Sequence, residues 1–331
     1  MKVTPKARRL IRLLRPLLRR RGKPGAQLQP FLKTGLLHSP RWGWQENIVG
    51  YSLSTKNGQL CLTFFVRCKL HRGRLTSKEF IPEGIRIPGL KNLEILTDVV
   101  ETGGEFQLHT VAPQESLAHE HALGPGILGA LLLRNGDTYL LSCAHVLALA
   151  GRDSTKEKPG DFIEMPFRPT SDPVSDRVAI LEEGFTPLSE LREPNSDFAL
   201  AKLLKDVENS PVFSGTSNTR IIGFSARRRV QDFPDGLALR LFGKSSPKAC
   251  MVKFSDAVLR TPARGHASVN EWVYRDLVGY EGECRPGDSG AALLEAGDLL
   301  AGIHVGGFEG VDFGFFFPTT TLLEQLGMKP A

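Results

Sequence analysis

The chain has 331 residues, 41% of them hydrophobic and 24% charged, which suits two or three folded domains and excludes a disordered or low-complexity protein. No run of 18 or more apolar residues occurs, which excludes a transmembrane helix. The formal charge of +6 is confined to the start: residues 1–23 hold ten Lys or Arg and no acid, while the rest has 32 bases against 36 acids, so no nucleic-acid groove is expected.

Residues 1–23 read as a basic amphipathic helix. Over 5–21, Leu10, Ile11, Leu13, Leu14, Leu17 and Leu18 share one side at helical period, opposite Arg8, Arg9, Arg12, Arg15, Arg19 and Arg20. Pro16 should kink this helix or start a second one. An anionic membrane surface, a docking site on the body or on a partner protein, and an organelle-targeting signal all fit the pattern. A secretory signal does not, because arginines interrupt every apolar run and no small-residue cleavage site follows.

Residues 24–46 form a Gly, Pro and Trp-containing linker, and 47–112 a small α+β module. Within the module, strands are predicted over 48–54 and 60–70 around an Asn57-Gly58 hairpin turn, a short helix over 77–83, and a strand over 94–101. This β-β-α-β unit, ending Thr97-Asp98-Val99-Val100-Glu101, resembles the leading module of the plant narrow-leaf type protease family. Beyond it, many Gly and Pro with short hydrophobic runs between them favour β architecture. Strands are expected over 127–133 and 138–142 around Asn135-Gly136, then over 161–167, 178–182 and 198–203. A further set is expected over 237–242, 249–259, 272–280, 291–294, 299–305 and 313–317, with a closing helix over 320–326.

Three segments carry the chemistry. Leu141-Ser142-Cys143-Ala144-His145-Val146 follows a predicted strand, Ser196-Asp197-Phe198-Ala199-Leu200 opens another, and Gly287-Asp288-Ser289-Gly290 forms a glycine-bounded loop. A serine hydroxyl attacks a carbonyl at neutral pH only with a base to take its proton and a carboxylate to orient that base. His145, Asp197 and Ser289 are the candidates for base, orienter and nucleophile. Asp153, Asp161, Asp172 and Asp176 lie in nearby loops and are alternatives to Asp197. The Gly287 and Ser289 backbone N–H groups are candidates for stabilising a developing oxyanion.

The order His, Asp, Ser, with 52 residues from His145 to Asp197, resembles the chymotrypsin-like (trypsin-fold) serine endopeptidases. Cys143-Ala144-His145 is similar to that family's Ala-Ala-His segment, Asp197-Phe198-Ala199-Leu200 to its Asp-Ile-Ala-Leu, and Gly287 to Gly290 matches its nucleophile loop. The resemblance covers about residues 124–318. It implies a mainly β fold: two Greek-key six-stranded barrels, the first over 113–208 with His145 and Asp197, the second over 209–331 with Ser289. It also implies a role for Asp288 in shaping the oxyanion loop. Secreted members free an Ile amine to pair with that aspartate. Here no Lys or Arg occurs from Glu101 to Leu133, so a tryptic cut just before the barrels is impossible and Asp288 needs another counter-charge.

Specificity has two conflicting pointers. Gly302-Ile303-His304-Val305-Gly306-Gly307 resembles the substrate strand of glutamyl endopeptidases and picornavirus processing proteases, where a His recognises Glu or Gln. Cys284 replaces a Thr found in those subgroups. Glu283 stands where trypsin-like members keep the acid that pairs with Arg or Lys, and that alternative stays open. The expected function is an intracellular serine endopeptidase cleaving after Gln or Glu through an acyl-enzyme, with His304, Cys284, Glu283 and Gly306 lining the substrate site. A non-catalytic protease-fold scaffold and a membrane-surface adaptor are the rivals. Five cysteines, an odd count, suggest reduced thiols and a cytoplasmic location, peripheral at a membrane if the leader binds one. No cofactor or metal is expected, since neither the cysteines nor His119-Glu120-His121 has a second ligand pair at suitable spacing.

Overall fold

A computed structural model describes residues 47–74, 81, 83–86, 94–108, 117–119, 126–148, 159–165, 177–182, 197–204, 221–242, 247–262, 271–308 and 311–331. The basic leader, the linker and most of the helix expected over 77–83 lie outside these residues.

The described chain is mainly β and builds two sheets. The larger contains a closed ring. Strands β13 (Ala238–Phe242), β16 (Ala292–Glu295), β17 (Leu299–Phe308), β18 (Phe313–Phe317), β15 (Glu271–Glu281) and β14 (Lys248–Pro262) pair in that order, and β14 pairs back to β13. Alternation along the strands explains the closure. Leu239 and Leu241 of β13, Leu293 of β16, Ala301 of β17 and Phe316 of β18 share the interior with Val252, Val278 and Tyr280. Phe315 and Phe317, on the other face of β18, pack outward into the main core.

The smaller sheet runs β7 (Ala130–Arg134), β8 (Asp137–Ser142), β11 (Ala199–Leu203), β10 (Arg177–Leu181), β9 (Phe162–Glu164) and β6 (Ala118–His119). One antiparallel bridge, Leu117 to Gly126, brings the start of β6 back to the segment entering β7 and completes a second ring. Both Asn-Gly turns form as the sequence requires. Asn57 and Gly58, and Asn135 and Gly136, take positive φ (52°, 76°, 54° and 85°), the tight-hairpin geometry that matches strand twist. These sheets are consistent with the chymotrypsin-like β-barrel fold.

The small module is continuous with the larger sheet. β1 (Ile48–Lys56) pairs with the later half of β14 and with β2 (Gln59–Val66); β2 runs parallel to β4 (Glu94–Glu101), and β3 (Gly84–Arg86) closes the edge. An aromatic cluster joins module to barrel. The Phe65 ring meets Phe254 edge-on at 5.1 Å and Phe315 at 5.6 Å. Each such fully buried ring contributes about 1.5–3 kcal/mol of burial. The helix α2 (Thr320–Gln325) follows β18, and β19 (Lys329–Pro330) then pairs with β7, tying the second half of the chain to the first.

Candidate active site

His145 lies on α1 (Ala144–Leu147), a single turn placed directly after β8, so its position is inherited from that buried strand. β11 pairs with β8 with Ala199 opposite Ser142, which sets Asp197 beside His145. The Asp197 carboxylate accepts twice from this histidine: Oδ1 from the backbone N–H at 3.0 Å, and Oδ2 from Nδ1 at 2.5 Å. The far ring nitrogen, Nε2, is 2.9 Å from Ser289 Oγ. All three residues are buried, with Asp197 and Ser289 fully so. An Nδ1–H held by a carboxylate leaves Nε2 as the acceptor facing the hydroxyl. Tyr274, also buried, stands near Asp197; burial first and that carboxylate second push its phenol well above the ordinary range.

The serine loop is held between the two sheets. Gly290 N–H donates to the His304 carbonyl at 2.9 Å, and Ile127 N–H donates to the Ser289 carbonyl at 2.8 Å. Gly290 has φ 91°, and a Cβ there would overlap Ser142 Oγ and the Ile127 carbonyl oxygen, so glycine is required. Gly287 also takes positive φ, 99°. The loop's own backbone bonds use the N–H groups of Asp288 and Ala291, to Arg285 and Asp288 carbonyls. Asp288 itself is buried. Its Oδ2 accepts from Arg285 N–H at 2.9 Å and lies 3.5 Å from Lys248 Nζ.

The expected substrate residues divide into two groups. His304 and Gly306 lie on β17, whose Val305 carbonyl oxygen is 2.8 Å from Ser289 Oγ and competes with His145 Nε2 for the single hydroxyl proton. His304 is fully buried, and its Nδ1 is 2.9 Å from Tyr280 Oη. Burial pushes that phenol well above its ordinary value, so it keeps its proton. Glu283 and Cys284 follow β15. Glu283 is half exposed, forms an ion pair with Arg285 and lies 3.8 Å from Lys248. Burial pushes the Cys284 thiol up to about 12, with Asp288 adding to the effect.

Other candidates lie apart from this arrangement. Asp161 Oδ2 pairs with His119 Nε2 at 3.1 Å, while Asp153, Asp172 and Asp176 fall outside the described residues. All five cysteines are free thiols. The ligand atoms of Cys143, His145 and Asp197 lie within 4.8 Å of one another. Their donors are engaged, however. Cys143 Sγ donates to the His304 carbonyl at 2.9 Å, and burial raises that thiol well above its usual range, so the thiolate a metal needs is disfavoured.

Three participants carried no local sequence signal: Lys248, Tyr280, and the short strand β5 (Phe106–Leu108), which pairs antiparallel with β17 at Gly306, Gly307 and Phe308. A Cβ at Gly306 would overlap the Gln107 carbonyl oxygen, so β5 lies in direct backbone contact with the substrate-strand candidate.

No protein-family model matches the chain, and no curated protein does. Among solved structures, the chain is similar to Cellulomonas bogoriensis chymotrypsin, at 17% identity and TM-score 0.41 over 67% of this chain and 98% of that one. It is similar to Thermobifida fusca protease A, at 13% identity and TM-score 0.42 over 67% and 98%. It is also similar to a glutamic-acid-specific serine protease described as using a histidine triad in substrate binding, at 15% identity and TM-score 0.43 over 66% and 98%.

Proposed function

We propose that the protein is a serine endopeptidase that hydrolyses peptide bonds through an acyl-enzyme. The observation that carries this reading is the buried relay from Asp197 through His145 to Ser289, at 2.5 and 2.9 Å. In the proposed mechanism Nε2 takes the Oγ proton as Oγ attacks the scissile carbonyl, and Asp197 stabilises the resulting imidazolium. The Gly287 and Ser289 N–H groups stabilise the tetrahedral oxyanion. The C–N bond breaks as the imidazolium gives its proton to the leaving amine. Water then attacks the ester with the same base, releasing the acid and restoring Oγ–H.

The proposed specificity is for Gln before the cut, with Glu second. With the Tyr280 phenol as the donor to His304 Nδ1, 2.9 Å away, the imidazole proton lies on Nε2. A neutral N–H donor suits the carbonyl oxygen of a Gln amide better than it suits a carboxylate partner. Cleavage after Arg or Lys would use Glu283, whose charge is already met by Arg285 and Lys248. Free thiols suit a reducing, intracellular setting, and among the described residues no helix is long and apolar enough to cross a membrane. The leader over 5–21 is proposed to bind an anionic membrane surface or a partner protein. A random peptide library tests the central reading. Cuts after Gln or Glu that vanish in Ser289→Ala support it; cuts after Arg or Lys overturn the specificity, and cuts that survive Ser289→Ala overturn the nucleophile.

A further inference from the structure

A buried carboxylate without a counter-charge is strongly disfavoured. Asp288, next to the nucleophile, is buried, and among the described residues the side-chain cation paired with it is Lys248, whose side chain is itself 14% exposed. Lys248 opens β14 and pairs with Leu241 of β13, so barrel closure aims it at the loop. The charged and titratable neighbours are Glu283, Arg285, Cys284 and Tyr280. Glu283 is shared between Arg285 and Lys248. Cys284 and Tyr280 feel the Asp288 charge, and both stay neutral at ordinary pH because burial raises them.

We propose that Lys248 is a positioning residue: its ammonium is the resident counter-charge of Asp288. It holds the 285–288 turn, and with it the Gly287 and Ser289 N–H groups, in the form that receives an oxyanion. This rests on the endopeptidase reading and adds that the loop is ordered in the uncut chain. The pair is internal to the second barrel, so no newly freed amine is required.

Lys248→Met in the full chain should lower kcat on a Gln peptide about 10²-fold, the typical loss for a misplaced oxyanion donor, with a smaller change in KM. Lys248→Arg should recover most of it. A kcat within about twofold of wild type, or no recovery in Lys248→Arg, overturns the proposal. Should Lys248→Met fail to fold, the double variant Lys248→Met/Asp288→Asn decides. Folding of the double where the single fails supports a charge pair, and failure of both overturns it. If the wild-type chain itself does not react with a fluorophosphonate, the endopeptidase reading fails; if it reacts and Lys248→Met matches it in kcat, only the Lys248 proposal does.

The edge of β17 beside the nucleophile is occupied. Ser289 Oγ is 2.8 Å from the Val305 carbonyl oxygen, and the next three residues of β17 pair antiparallel with Phe106, Gln107 and Leu108. An extended peptide gains its main-chain hydrogen bonds by adding to a sheet edge, and this is the edge that passes Ser289. β5 is anchored upstream, where Thr102 N–H donates to the Val66 carbonyl at 2.8 Å and Arg67 pairs with Glu105. Phe106 is fully buried against Tyr274, Phe308 and Phe315. We infer, again on the endopeptidase reading, that residues 106–108 occupy the substrate's strand position, so that peptide hydrolysis requires them to leave it.

Gln107→Pro removes a backbone N–H and disfavours pairing. KM for an extended Gln peptide should fall several-fold, while the rate of Ser289 labelling by a small fluorophosphonate, which needs no strand, should change little. An unchanged or higher KM overturns the inference. If Gln107→Pro does not fold, hydrogen exchange on the wild-type chain decides. Loss of protection at 106–108 when a peptide aldehyde ending in Gln binds supports displacement, and retained protection overturns it. In either experiment, absence of fluorophosphonate labelling in wild type removes the endopeptidase reading instead.

Discussion

The Cys143 thiol donates to the His304 carbonyl oxygen at 2.9 Å, fastening the turn that carries His145 to the strand beside Ser289. The same carbonyl accepts from Gly290 N–H, so one oxygen on β17 ties base and nucleophile loops together across the two sheets. Cys143→Ser keeps a donor and should unfold near the wild-type urea midpoint. Cys143→Ala loses it and should cost about 1–2 kcal/mol, with reduced kcat. In the native chain Cys143 should resist iodoacetamide while the exposed Cys68 reacts, which mass spectrometry reads directly.

Ser289→Ala and His145→Ala should each lower kcat by roughly 10⁴–10⁶, and the double variant should be little worse, because the three groups act as a unit. Asp197→Asn should cost somewhat less. Steady-state rates on one Gln peptide check all four proteins, and additive losses would mean that the residues act separately.

His304→Ala should cost about 2 kcal/mol or more in kcat/KM on a Gln peptide, from a buried substrate amide left without its donor. Tyr280→Phe should give a smaller loss and narrow the preference for Gln over Glu as pH falls, because the imidazole loses the phenol that keeps its proton on Nε2. Matched Gln and Glu peptides assayed from pH 5 to pH 8 measure both effects.

The Cys250 and Cys284 thiols are pushed up to about 12 by burial, and the Tyr280 phenol rises for the same reason. The native chain therefore holds protons that the unfolded chain releases above about pH 9. Stability from these groups is complete below that pH and declines as pH rises toward 12, since the unfolded state binds fewer protons. The urea midpoint should fall steadily over that range, and Cys250→Ser with Cys284→Ser should flatten the decline.

Much of the framework could be read from local pattern. The two Asn-Gly turns, the strands over 94–101 and 313–317, and the Gly-Asp-Ser-Gly loop all depend on neighbouring residues, and each forms as expected. The catalytic candidates were legible because three separate segments each had a recognisable local context. The two- and three-residue strands β5, β6 and β19, and β12 (Gly223–Phe224), were not, because so short a segment shows no alternation. Lys248 meets Asp288 only after a barrel closes between them, and β1 finds β14 across some 200 residues of chain. Nothing local announces such pairs. Phe65, read only as a strand residue, proves to join the module to the barrel, and Phe65→Ala should cost about 3–5 kcal/mol in urea unfolding.

The most direct measurement is covalent. The full chain is treated with a fluorophosphonate and digested, and the modified residue is located by mass spectrometry. A single adduct on Ser289, lost in His145→Ala, is the predicted result, since only a hydroxyl relieved of its proton by Nε2 attacks phosphorus at neutral pH. An unlabelled Ser289, or labelling at the same rate in His145→Ala, would contradict the account.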